Sequence, residues 1–220
     1  MMNNLFSTFD PSTSMKLSLN WISSVTCLAI LPMYYWYLPN RISMLSKSIM
    51  WNLNKEFSMI LGEKNKSLNI MMISLFTFIL LNNIMGIMPY IFTSSSHLTF
   101  SLSMALPMWV SLMMFGWINK TNYMFSHLIP TGTPAMLMPF MVMIETISNI
   151  MRPGSLAVRL TANMIAGHLM MSLLGNNSIK SNFLIIFFMQ FMLMMFESAV
   201  ALIQAYVFSV LSTLYSSEIN

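Results

Sequence analysis

Apolar residues run through this chain in long blocks, separated by a few short polar stretches. A helix needs about 20 apolar residues to cross a ~30 Å hydrocarbon core. Leu17–Leu38 meets that requirement, with Pro32 near one end and Tyr34, Tyr35, Trp36 and Tyr37 as an aromatic belt at the interface. Leu68–Phe92 and Leu98–Ile118 form a second and a third span. Asn40–Ser67 has a different pattern. It carries Arg41, Lys47, Lys55, Glu56, Glu63, Lys64 and Lys66, while Leu45, Ile49, Leu53, Phe57, Ile60 and Leu61 recur at helical spacing. This predicts an amphipathic helix lying on the membrane surface. Lys120–Gly132 reads as a polar connection.

Two longer segments follow. Thr133–Leu174 contains Pro134, Pro139, Pro153 and Gly154, so a bent or broken helix is expected. Asn182–Tyr215 contains no Pro and no Gly. As one helix it is roughly 51 Å long at 1.5 Å per residue, well beyond a ~30 Å core. Fully embedded, it must tilt on the order of 50° from the membrane normal, against about 20° for ordinary spans. Gly175-Asn176-Asn177 predicts a turn between the two. The expected fold is an all-α integral membrane protein forming one membrane domain over residues 1–220. It has about five embedded helices and one amphipathic surface helix, and residues 133–215 form a long, steeply tilted hairpin. No internal repeat supports an inverted-repeat transporter plan.

Composition agrees. The chain is 56% hydrophobic and 7% charged, against about 25% charged in a soluble domain. The 28 methionines exceed ordinary packing needs and read as a bias of the encoding genome. The net charge of +4 forms no basic stripe with interleaved aromatics, which argues against nucleic acid. Cys27, the single cysteine, excludes an internal disulfide and a cysteine-based metal cluster. Met1–Met15 holds no Arg or Lys, so no cleaved targeting leader is expected. Asn40–Ser67 holds five of the ten Lys and Arg residues, which places it on the inner side. The N-terminus is then outside and the C-terminus inside.

Against this background the few ionisable residues stand out. Between Leu68 and Asn119 there is no Lys, Arg, Asp or Glu, and the later hydrophobic regions hold only Glu145, Arg152, Arg159 and Glu197, with His168. An arginine near the bilayer centre costs at least ~2.5–3.5 kcal/mol and cannot lose its proton. A group retained at that cost is functional by default, although a structural Arg159–Glu197 pair is an alternative. The topology orders Glu145 toward the inner side, Arg159 near the middle and His168 toward the outer side. Arg159 and Asn163 share a helix face, and Glu197 and Gln204, two turns apart, share another. Folding the hairpin about residue 177 or 178 brings Arg159 level with about residue 196. Glu197 and Gln204 are then both close enough in height to matter. Arg152, beside Pro153, reads as a local hydrogen-bonding residue at a bend, and His97 and His127 are assigned no chemistry. Asn82 and Asn83 are candidates for bridging helices.

These residues carry a resemblance. Phe140–Gly167 reads "FMVMIETISNIMRPGSLAVRLTANMIAG", followed by "HLMMSLLGN", and Glu197–Asn220 reads "ESAVALIQAYVFSVLSTLYSSEIN". Together with "NLFSTFDPSTS", "NNIMGIMPYIFTSSSHLT" and "FSHLIPTGTPAMLMPFM", they resemble the mitochondrial subunit a family of the F-type ATP synthase, in its arthropod version, over essentially the whole chain. The resemblance implies a proton-conducting stator beside a rotating c-ring, whose subunits each carry one carboxylate. It makes Arg159 the essential arginine between two offset half-channels and Asn163 and Gln204 its polar neighbours. It gives His168 and Glu197 to the outer half-channel and Glu145 to the inner one. It further implies a multi-pass protein of the mitochondrial inner membrane, with its N-terminus in the intermembrane space and its C-terminus in the matrix. Its partners would be the c-ring, other membrane-sector and stator subunits, and the bilayer. It would have no cofactor, no metal and no catalysis of its own.

Competing functions lack their marks. A redox-driven proton pump would show haem-spaced histidine pairs or buried Lys–Glu chains over many more spans. An intramembrane metallohydrolase would need HExxH or a comparable ligand cluster. A structural scaffold has no use for Glu145, Arg159, His168 and Glu197 at graded depths.

Overall fold

A computed structural model describes residues 5–14, 17–32, 38–62, 65–129, 134–177 and 183–219. The described residues form seven α-helices joined by short 3-10 turns, with no strand among them. They are α1 (Ser23–Ile30), α2 (Arg41–Leu61), α3 (Lys66–Ile87), α4 (Leu98–Asn119), α5 (Thr121–His127), α6 (Met138–Asn177) and α7 (Phe183–Ile219). Four of them (α3, α4, α6 and α7) are long and apolar enough to cross a membrane, and a shorter apolar helix covers Leu19–Ile30. The chain is thus an all-α membrane protein. The first expected span, Leu17–Leu38, is helical only in this short piece, and residues 33–37 of it lie outside the described residues.

The amphipathic pattern of Asn40–Ser67 resolves into two roles. Leu53, Phe57 and Leu61 recur every four residues and are buried, whereas Leu45 and Ile49 on the earlier turns remain exposed. The helix ends at Gly62, whose φ of +79° suits a residue without a β-carbon. Two polar contacts fasten it. Asn69 Nδ2 donates to Asn54 Oδ1 at 2.5 Å, and the Tyr206 hydroxyl donates to Glu56 Oε2 at 3.2 Å.

The core lies where α2, α3, α4, α6 and α7 meet, around Phe57, Met72, Ile79, Ala157, Leu160 and Phe208. α7 packs most extensively on α3. The reason is a row of small residues down one side of α7: Ala201, Ala205, Ser209, Ser212 and Ser216, all buried. Small side chains let helices approach closely in an apolar setting. Ser212 Oγ even reaches Met72 Sδ at 3.2 Å.

Three expectations change. The Pro-containing segment is neither broken nor limited to residue 174: α6 is one 40-residue helix with Pro153 inside it. A Pro in a long helix removes one hydrogen bond, and the packing of α6 on α4 and α7 holds the rest of the helix together. Gly175-Asn176-Asn177 is the last turn of that helix and not the reversal, because loop-forming residues are tolerated in a terminal turn. Residues 178–182, between α6 and α7, lie outside the described residues. Finally, the polar connection after Lys120 contains α5, held by an edge-to-face contact of Phe125 on Trp117 with ring centres 4.8 Å apart.

Candidate functional site

α6 and α7 position the site. Leu156, Ala157, Leu160, Thr161 and Met164 form the buried stripe of α6. Helical periodicity then turns Arg159 outward, together with Val158, Ala162, Asn163 and Ala166, all exposed. Among the described residues, Arg159 makes no hydrogen bond and no ion pair. The structural Arg159–Glu197 pair is therefore not formed. Elsewhere along the two helices Met151 and Met170 on α6, and Phe196, Leu202 and Ile203 on α7, are also exposed. Ala162, Ala166 and Ala199 leave shallow places in that surface.

Asn163 and Gln204 meet across the hairpin. Asn163 Nδ2 donates to Gln204 Oε1 at 2.6 Å, and Gln204 is only 8% exposed. This fixes the register of α6 against α7. Arg159, one turn before Asn163, lies level with the stretch beyond Gln204 and not with residue 196. The expected alignment, folded about residue 177 or 178, is offset by several residues from the register that the Asn163–Gln204 contact sets.

Glu197 belongs one turn higher, beside Gly167. A β-carbon added to Gly167 would lie 2.6 Å from Glu197 Cδ and closer still to Oε1. The carboxyl thus rests directly on the α6 backbone at Gly167, the residue before His168. Both Glu197 oxygens and His168 Nε2 are buried without a hydrogen-bond partner among the described residues. His168 also packs edge-on against Phe9, with centroids 6.3 Å apart. His97, given no chemistry from sequence, has its Nε2 2.9 Å from the Phe9 carbonyl, which accepts, and so ties down the same N-terminal turn. The side chain of His127 is outside the described residues.

The α3 asparagines divide. Asn82 does bridge, accepting from Ser94 Oγ at 3.4 Å. Asn83 is fully buried with neither side-chain atom partnered, and Ser95 Oγ is in the same condition.

At the other end of the hairpin the structure shows a group that sequence reading missed. Arg152 Nη1 is 2.5 Å from Glu218 Oε2, and Arg152 Nη2 is 3.8 Å from Glu145 Oε1. The reading of Arg152 as a purely local residue is thus corrected. Arg152 lies seven residues after Glu145, two turns along the same face, so half of this contact was readable from spacing. Glu218 fell beyond the expected end of the last span. The structure therefore separates the six candidates. Asn163 with Gln204, and Glu197 with Gly167, are brought together, His168 being the next residue along α6. Glu145 stands apart with Arg152, and Arg159 stands alone on the outer surface. No cluster of three or more metal-ligating side chains exists among the described residues.

The chain is similar to known proteins over its full length. A family profile described as ATP synthase A chain matches residues 17–217. Proteins described as ATP synthase subunit a from Drosophila simulans and Drosophila melanogaster are 58% and 57% identical to this chain, with both chains covered in full. The one from Anopheles gambiae is 57% identical, again over the full length of both.

Proposed function

Because the chain belongs to the ATP synthase A chain family, and is a proton-translocating subunit of the membrane sector of that complex, we propose that its outward face on α6 and α7 packs against a rotating ring of carboxylate-bearing subunits. The observation that carries this is Arg159, exposed and unpaired among the described residues, on a face of α6 that it shares with Val158, Ala162 and Ala166. An unpaired guanidinium in hydrocarbon costs at least ~2.5–3.5 kcal/mol, and a partner carboxylate offsets that cost. The alanines let a partner helix come close.

The mechanism follows from the charges. A ring carboxylate facing lipid is neutral, because burial disfavours its charged form. Beside Arg159 its ionised form is favoured, so the proton leaves there. Two offset paths supply and remove it. His168 and Glu197 lie on the outer path, where their buried, unpartnered polar atoms suit a moving proton or water. Glu145 lies on the inner path. Arg159 stands between the two, and its fixed charge blocks a direct leak that would dissipate ~2.3 kcal/mol per proton per 100 mV. Asn163 and Gln204 hold the surface around Arg159 without neutralising it.

The chain performs no ATP chemistry itself in this reading. It sits in the mitochondrial inner membrane with its N-terminus in the intermembrane space and its C-terminus in the matrix, as the basic segment at residues 40–67 favours. α6 and α7, of 40 and 37 residues, lie steeply tilted so that both stay embedded.

Cysteine cross-linking tests the reading. Single cysteines at Val158, Ala162 or Ala166 should cross-link to cysteines on the outer helix of the ring subunit, and cysteines at the buried Leu156 or Leu160 should not. Cross-links from the buried stripe, or none from the exposed one, would overturn it.

A further inference from the structure

We propose that Arg152 is a positioning residue of the inner proton path, clamping Glu145 and Glu218 at the rim of a cavity between α4, α5, α6 and α7. The proposal rests on the reading above that Glu145 belongs to the inner path.

The geometry is that of one cation shared between two helices. Arg152 uses its two terminal nitrogens separately, Nη1 for Glu218 on α7 at 2.5 Å and Nη2 for Glu145 on α6 at 3.8 Å. Its guanidinium carbon lies 4.9 Å from the centre of the Tyr215 ring, which fixes the plane of the fork. The cavity beside it has a volume of about 540 Å³, room for on the order of ten waters. Glu145, Thr146, Asn149, Arg152, Tyr215 and Glu218 supply its polar wall. Trp109, Leu112 and Trp117 of α4 supply an apolar one.

Arginine keeps its proton throughout, so it cannot be a relay. What it can do is hold two carboxylates, one from each helix, on a single cation. Without it, the two carboxylates lose the cation they share, and each then binds a proton more readily. A proton arriving on the inner side would then be held at the rim instead of passing on. Among the lining residues the other titratable groups facing this cluster are Tyr123 on α5 and Tyr215 on α7, and α4 contributes none. A plain structural pin between α6 and the end of α7 would show the same contacts but would leave the pH response untouched.

The experiment is ATP-driven and gradient-driven proton flux through the assembled complex in membrane vesicles, with inner and outer pH varied independently. Arg152→Gln should move the midpoint of the inner-side profile up by about one pH unit or more and leave the outer-side profile in place. Arg152→Lys should stay near the wild-type inner profile. Adding Glu218→Gln to Arg152→Gln should bring the midpoint back, because one of the two carboxylates is gone. A rate loss in Arg152→Gln with neither profile moved, or with both moved alike, overturns the clamp. If Arg152→Gln fails to assemble, Glu218→Gln alone decides: it should lower the inner midpoint, and an unchanged profile overturns the proposal. Glu145→Gln separates the two layers. If it leaves the inner profile as in wild type, the inner-path reading fails and the clamp fails with it. If it flattens that profile while Arg152→Gln moves nothing, only the clamp fails.

Discussion

Gly167 and Glu197 touch so closely that the missing β-carbon of one is the space occupied by the carboxyl of the other. A β-carbon on Gly167 would come within 2.6 Å of Glu197 Cδ. The glycine is thus not a helix breaker tolerated by chance but the seat of an acid. It sets the height of Glu197 on the hairpin beside His168, while the Asn163–Gln204 contact sets the height of the surface around Arg159. Two short contacts, one turn apart on α6, therefore hold two parts of the site in separate registers.

Gly167→Ala should displace the Glu197 carboxyl, because the flexible end of that side chain yields before the backbone does. Overpacking of this kind costs typically ~1–3 kcal/mol. Proton flux should fall about tenfold or more, while the complex still assembles. Combining it with Glu197→Asp, one methylene shorter, should recover part of the flux that Gly167→Ala loses. Flux in vesicles, normalised to assembled complex on native gels, reads this directly. No recovery in the pair would argue that the loss comes from helix packing and not from the acid's position.

Much of the fold was legible in the sequence because lipid imposes few solutions. Uninterrupted apolar length gave α3 and α4 to within a few residues at most termini, and the charged segment gave α2. The graded order Glu145, Arg159, His168 also follows from chain order once the hairpin is accepted. The register was not legible. It depends on where the chain reverses, and Gly175-Asn176-Asn177 looks like a turn although it ends a helix. A shift of a few residues there moved Arg159 away from Glu197 and toward Gln204. Glu218 was missed for a related reason: its partner Arg152 is distant in sequence and only folding brings them together. Gly167 was invisible as a seat for Glu197, since close approach depends on the partner helix.

Arg159→Ala should abolish coupled proton transport in complexes that still assemble, because the side chain is exposed and supports no packing within the chain. Loss of a mid-membrane charge that favours the ionised carboxylate should lower flux by about a hundredfold or more, which corresponds to ~2.7 kcal/mol. Arg159→Lys should restore little, since an ammonium lacks the planar fork and can shed its proton when buried. Assembled Arg159→Ala complexes synthesising ATP at wild-type rates would remove the central role assigned here.

Asn163 and Gln204 should show measurable coupling. Interhelical hydrogen bonds in membranes average ~0.6 kcal/mol and reach ~1.7 kcal/mol, and this one involves a nearly buried Gln204. Asn163→Leu alone leaves Gln204 Oε1 without its donor, so the Asn163→Leu, Gln204→Leu pair should destabilise the complex by less than the sum of its two single variants. Thermal dissociation midpoints for the two single variants and the double variant measure the coupling. Flux should fall further than stability, because Asn163 is one turn from Arg159. Strict additivity in both would mean that the contact carries neither.

The His168–Glu197 pair allows the most discriminating test of the outer path. The two residues sit on paired helices, Glu197 against Gly167 and His168 the next residue along α6, and each carries buried polar atoms without a partner among the described residues. If a proton passes between them, its binding belongs to the pair and not to either side chain. His168→Glu alone puts two acids together, and Glu197→His alone puts two imidazoles together. In each case like groups compete, and one of them is held in the wrong protonation state. The double exchange, His168→Glu with Glu197→His, returns one acid and one imidazole to the same height on the hairpin. Each single substitution should therefore slow proton flux more than the double exchange does. The exchange will not restore wild-type flux, because glutamate at 168 faces Phe9 and lacks the glycine seat that the acid has at 197. Proton pumping in vesicles, with each variant normalised to assembled complex, gives the interaction free energy of the cycle. Losses that simply add would place the two residues on separate paths, and Glu197 would then rest on Gly167 for packing alone.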